Sequence, residues 1–79
     1  MPLTHAEQKL LHITLKRIGM NIQKARMQRN FTLKKLSRQT NLKLETIDRY
    51  ELGRTSIQLE ELLKISIALD ADLGKLMGK

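Results

Sequence analysis

Three lysines stand where helix electrostatics argues against them. Lys34 and Lys35 fall in the first turn of a helix predicted to start after Thr32, and Lys43 stands at the start of the next. Unpaired N–H groups give a helix N-terminus partial positive charge, so each such lysine costs about 0.3–1 kcal/mol. An outside anion that meets both the N–H groups and the lysines removes this cost, and phosphate is the obvious anion. Any one of these lysines reads equally well as a solvated surface residue. Their concentration on two adjacent helices tilts the reading toward phosphate. Glu51 is the converse case, an acid in a last turn, where it opposes the dipole and needs a cation. Arg26, next to the Ile22/Ala25 positions of the first predicted helix, is a candidate partner. A partly buried pair there fixes geometry more than it adds stability.

The elements that must position these residues are helical. Apolar spacing is helical nearly throughout, the only aromatics are Phe31 and Tyr50, and the single proline is Pro2. Thr4 followed by Glu7 makes a capping-box pattern. Leu11, Leu15, Ile18, Ile22 and Ala25 then step by fours and threes down one face of a helix ending near Gln28, with Gly19 as a possible interruption. Thr32 caps a second helix with Leu33 and Leu36 as its apolar contacts. Asn41, in the TNL break at 40–42, is suited to positive φ. A third helix follows over 43–52, with Ile47 as core, and Gly53 suits the left-handed position after its end. The fourth runs over about 58–69 with Leu59, Leu62, Leu63, Ser66 and Leu69 as its buried face. Asp72 caps a last short helix carrying Leu73, Leu76 and Met77. The expected fold is all-α, a bundle of about five helices whose first is extended at its N-terminus, with residues 1–15 as that extension and 16–79 as the domain.

Composition narrows the function. Seventy-nine residues make one domain, and a chain this small buries only about 60% of its unfolded surface. It must be compact or associate with a copy of itself. It has no cysteine, which excludes a disulfide framework and fits a reducing cytoplasm. No apolar run approaches the roughly 18 residues of a membrane span, and the opening MPLTHAEQKLLH lacks the layout of a signal peptide. The net charge of +7 is uneven: residues 1–31 carry +5, 32–56 carry +3 and 57–79 carry −1. Nucleic acid is the commonest specific partner of such a basic face, with an anionic membrane surface next. His5 and His12 lie two turns apart on one helix face and chelate nothing without a third ligand. No nucleophile–base set or phosphate-cradling glycine loop is present, so no enzyme, metal or cofactor is expected.

A short helix, a three-residue turn and a second short helix describe a helix-turn-helix. The segments IGMNIQKAR (18–26), FTLKKLS (31–37), NLKLETIDRYELG (41–53) and IQLEELLKISIALDADLGKLM (57–77) together resemble the lambda-repressor/Cro-like, or XRE-like, DNA-binding family. The resemblance covers about residues 16–77. It matches Arg26 and Glu51 to the family's Arg–Glu ion pair. The chain departs from the family at Leu33, where a glutamine usually binds a phosphate and braces the recognition helix. That contact then moves to Thr32 and Lys35. Asn41 replaces the turn glycine and Ile57 the proline before the fourth helix.

The resemblance implies that helix 43–52 lies in the major groove of double-stranded DNA, with Leu44, Glu45 and Arg49 at base-reading positions and Thr46 among them. Arg49 is suited to guanine O6/N7 and Leu44 to a thymine methyl. Glu45 either accepts from cytosine N4 or makes an i,i+4 pair with Arg49. Thr32, Lys34, Lys35, Lys43, Arg54, Thr55 and Ser56 would hold phosphates. Asp48 faces solvent or restrains Arg49 or Lys35. The expected protein is a cytoplasmic transcriptional repressor of prokaryotic, phage or plasmid type, a homodimer on a palindromic operator. Its dimer interface is either the C-terminal stripe Leu69, Leu73, Leu76 and Met77, preferred by the resemblance, or the N-terminal helix; the stripe reads equally well as plain core. The alternative is an antitoxin-type module that represses its own operon and holds a small protein with its first fifteen residues. A membrane-surface mode for the basic N-terminal helix is disfavoured, because its apolar face lacks Trp and Phe.

Overall fold

The computed structural model describes residues 1–78 and contains five helices: α1 (His5–Gln28), α2 (Leu33–Thr40), α3 (Leu44–Glu51), α4 (Leu59–Leu69) and α5 (Leu73–Met77). Each begins and ends where local chemistry dictates. At the start of α1 the Glu7 N–H donates to Thr4 Oγ1 at 3.1 Å, and the Thr4 N–H donates to Glu7 Oε1 at 2.8 Å. This reciprocal cap satisfies two otherwise orphaned donors. It also holds the Glu7 carboxyl below its ordinary pKa, chiefly through the Thr4 backbone N–H. Thr32 caps α2 by accepting from the Lys35 N–H, and Asp72 caps α5 by accepting from the Gly74 N–H. Lys43 provides no side-chain cap for α3.

Three helices end in the same way. Phe31, Arg54 and Ala71 donate their N–H groups back to the carbonyls of Arg26, Arg49 and Ser66. The residue before each, Asn30, Gly53 and Asp70, adopts positive φ. This is the Schellman arrangement, which returns the chain sharply after a helix. Asn41 has φ 60° at the end of α2, as its type and position predict. Asn30 and Asp70 carry out the same task without glycine; short polar side chains tolerate the left-handed region better than others.

The core draws on every helix: Ile18 and Ile22 from α1, Leu36 from α2, Ile47 and Tyr50 from α3, Leu62, Ile65 and Leu69 from α4, and Leu76 from α5, with Leu42 between α2 and α3. Gly19 does not interrupt α1. It is buried, and a Cβ there would lie 2.6 Å from the Glu51 carbonyl oxygen and closer still to that of Tyr50. Its missing side chain lets α1 and α3 touch backbone to backbone. On α4 the buried face differs from the expected one. Leu62, Ile65, Ser66 and Leu69 turn inward, whereas Leu59 and Leu63 are 61% and 45% exposed. The C-terminal stripe expected to make a dimer interface is largely internal: Leu69 and Leu76 are buried, Leu73 packs on the core, and only Met77 is exposed.

The molecule is 38 Å along its longest axis, close to the ~36 Å rise of a 24-residue helix. Only α1 has that length, and its N-terminal half is exposed. Leu10 and Ile13 are 64% and 47% exposed and Leu11 is exposed as well. Leu15 is half-buried. Asn21 ties α1 to the far end of the chain by donating to the carbonyls of Lys75, Leu76 and Gly78. Among the described residues, no helix is long and apolar enough to cross a membrane.

Candidate nucleic-acid interface

α2 and α3 are joined by Asn41, Leu42 and Lys43, and the joint is rigidly held. Leu42 inserts into the core. The Ser37 hydroxyl donates to the Leu42 carbonyl. The Thr40 hydroxyl donates to the Leu36 carbonyl at 2.7 Å and accepts from the Leu42 N–H at 3.3 Å. Both hydroxyls reach backbone groups that the turn would otherwise leave without partners. Neither Ser37 nor Thr40 was distinguished in the sequence by anything beyond its ability to bond locally.

Ile47 and Tyr50 point α3 into the core, so the opposite side is fixed to face outward. Lys43, Leu44, Glu45 and Arg49 are exposed, and Thr46 and Asp48 are half-buried. Glu45 and Arg49, four apart, share one helix face, and Leu44 borders it at the start of the helix, so the three make up the outward ridge. Glu45 and Arg49 do not pair. Among the described residues the ion pairs are Arg26–Glu51 and Arg29–Asp70. Both groups on the ridge are therefore available to a ligand.

The phosphate candidates lie on the elements that flank α3 in the chain. Thr32, Lys34 and Lys35 are exposed at the start of α2, and the Lys35 ammonium rests 4.4 Å from the centroid of the Phe31 ring. Arg54 and Ser56 are exposed and Thr55 half-buried in the loop leaving α3. That loop is pinned by the Arg54 N–H, which donates to the Arg49 carbonyl at 3.0 Å.

Beneath the ridge, Arg26 Nε and Nη2 donate to the two oxygens of Glu51 at 2.6 and 3.0 Å, and Nη1 donates to the Phe31 carbonyl at 2.8 Å. The Glu51 side chain is 2% exposed and that of Arg26 12%. Hydrogen bonding to Glu51 raises the Arg26 pKa against the opposing effect of burial, and the charges of Glu51 and Asp48 add to it. Asp48 makes no ion pair with Arg26, and its charge is the smallest of these contributions.

Tyr50 links α3 to α4 by donating its phenol to Glu61 Oε1. Burial first, and the Glu61 bond and charge second, push the phenol from 10.0 up to about 12. The neutral phenol is the favoured form. Its contribution to stability is therefore complete below about pH 10 and is lost as pH rises toward about 12. Tyr50 is the only tyrosine, so titration of the tyrosinate absorption band reads it alone. The folded protein should ionise well above the unfolded chain; coincident titrations would contradict the buried Tyr50–Glu61 link.

His5 and His12 lie exposed on the N-terminal half of α1. Among the described residues, no three His, Cys, Asp or Glu side chains are grouped to hold a metal ion.

The sequence matches the helix-turn-helix family HTH_3 over residues 22–76. No curated protein matches it. Among solved structures, the restriction-modification controller protein C.AhdI from Aeromonas hydrophila is similar, with TM-score 0.79 and 22% identity over 82% of this chain and 94% of that one. An HTH_3 family transcriptional regulator from Vibrio cholerae is similar with TM-score 0.78 and 20% identity, over 84% of this chain and 37% of that one. Both likenesses extend over more than four fifths of this chain, and the family match takes in the end of α1, the α2–turn–α3 unit, α4 and nearly all of α5. The chain therefore belongs to the HTH_3 helix-turn-helix family.

Proposed function

We propose that the protein is a sequence-specific DNA-binding transcriptional regulator, a cytoplasmic repressor that occupies a palindromic operator as a homodimer. The observation that carries this reading is the exposed, unpaired ridge of Leu44, Glu45 and Arg49 on a helix whose other side is locked in the core. A major groove admits one α-helix, and it is read by a few side chains on that helix. Arg49 donates to guanine, Glu45 accepts from cytosine, Leu44 meets a thymine methyl, and Thr46 sits within the same reading surface. Thr32, Lys34, Lys35, Lys43, Arg54, Thr55 and Ser56 hold the flanking phosphates. Such contacts fix register without reading sequence.

One eight-residue helix reads few base pairs, so two copies on half-sites about 34 Å apart supply the rest. The outer face of α1, with exposed Leu10, Ile13 and Met20, is one apolar surface open to that pairing, and the outer face of α4, with exposed Leu59, Leu63 and Ile67, is another. The C-terminal stripe is largely spent in the chain's own core. Selection of bound sites from random DNA tests the reading directly: a recurring inverted repeat supports it, and recovery of no preferred sequence overturns it. On the selected site, Arg49→Ala should cost about 1–3 kcal/mol and relax preference at one base position. Lys35→Ala should weaken all sequences alike. Equal loss on every sequence for Arg49→Ala would remove it from the base-reading set.

A further inference from the structure

We propose that the projecting N-terminal half of α1 is a second DNA contact, a preformed basic arm that grips the phosphate backbone beyond the ground covered by α2 and α3. This rests on the DNA-binding reading above. His5, Lys9, His12 and Lys16 are spaced four, three and four apart, so they form one stripe along α1, and all four are exposed. The stripe faces a definite side of the domain. Its last member, Lys16, lies against Gly53, where an added Cβ would come 2.8 Å from the Lys16 Cα. One turn further, Gly19 carries the carbonyls of Tyr50 and Glu51. The basic stripe thus runs out along α1 from the end of α3, beside the loop bearing Arg54.

Charge and shape both suit a phosphate backbone. Residues 1–31 carry a net +5, and their single acid, Glu7, is engaged with Thr4 and lies off the stripe. From His5 to Lys16 the helix advances about 17 Å, the length of about five nucleotides along one DNA strand. The capping box favours helix to the tip of the arm, which lowers the backbone ordering cost of its docking. Ile13 and Met20 border the stripe, lining one shallow depression with Lys16, so the charged stripe and an apolar edge run side by side along α1. His5, Lys9 and His12 lie before both the family match at 22–76 and the stretch, from about residue 16, that resembles the family.

The test is the salt dependence of binding to the selected operator and to unrelated DNA. Lys9→Ala/Lys16→Ala should weaken both by the same factor and make the slope of log K against log salt shallower by about two. Lys24→Ala/Lys64→Ala, which removes the same charge from off the stripe, should leave the slope unchanged, and Lys9→Arg/Lys16→Arg should restore it. Circular dichroism on each variant confirms that the helices persist. A wild-type slope in Lys9→Ala/Lys16→Ala, or an equal change in the off-stripe control, overturns the arm while leaving the recognition helix intact. Wild-type protein that binds no DNA at all overturns both.

Discussion

Glu51→Ala should destabilise the domain by about 3–5 kcal/mol, the cost of breaking a buried ion pair by removing one partner. Small domains are stable by only about 5–15 kcal/mol, so the variant should be partly unfolded under mild conditions. The loss comes less from the missing attraction than from what stays behind. Arg26 keeps its bond to the Phe31 carbonyl but retains a guanidinium that is largely buried and no longer neutralised. Asp48 softens this, because its charge already favours protonated Arg26. Glu51→Ala combined with Asp48→Asn should therefore cost more than the two substitutions separately, the non-additivity expected of groups sharing one partner. Replacing both Arg26 and Glu51 by apolar residues of similar volume should recover most of the loss. Urea unfolding of the four variants measures all of this. A Glu51→Ala cost near that of a surface residue would show the pair to be dispensable.

Gly19→Ala sets two known effects against each other. Alanine in place of glycine inside a helix gains about 1 kcal/mol from propensity. The added Cβ, however, meets backbone carbonyls on α3, which have no rotamer to escape into. Overpacking of this kind costs about 1–3 kcal/mol or more, and here the upper end applies because whole helices must separate. Separation also stretches the Arg26–Glu51 bridge across the same seam. A net loss of about 2 kcal/mol is expected, a fall in Tm of roughly 8–16 °C for a domain of this size. Gly19→Val should be worse, with β-branching added to the clash. A Gly19→Ala protein as stable as the wild type would mean that α1 and α3 are not in backbone contact.

These two sites show why the sequence was legible in some places and opaque in others. Helix ends were readable because they are local events: Thr4 with Glu7, Thr32, Asp72, Asn41 and Gly53 each act on groups within a few residues. Gly19 was read as an interruption because nothing nearby reveals that another helix lies against it. α4 carries two apolar stripes, and helical period alone could not tell Leu62 and Ile65, which are buried, from Leu59 and Leu63, which are not. Asn30 and Asp70 were missed because left-handed residues are sought first among glycines. Arg26 and Glu51 were readable as a pair from the dipole that Glu51 opposes. Leu44, Glu45 and Arg49 were singled out by the family resemblance and not by any pattern of their own; the structure leaves all three exposed. The basic stripe on α1 takes its meaning only from Gly53 lying beside Lys16.

Asn21 makes the last helix dependent on the other end of the chain. A helix of five residues such as α5 cannot hold itself together in water, since isolated helices shorter than about 12 residues are marginal. Its last carbonyls are held by an amide more than fifty residues earlier in the chain. Nothing local can close that connection. α5 therefore depends on α1 and α4 for its stability, and it is the natural place for the native structure to open first. Its backbone amides should exchange with solvent hydrogen well ahead of those in α3, through fluctuations that leave the rest folded. The chain behaves as a compact body with a clasp, fastened by residue 21 at its other end.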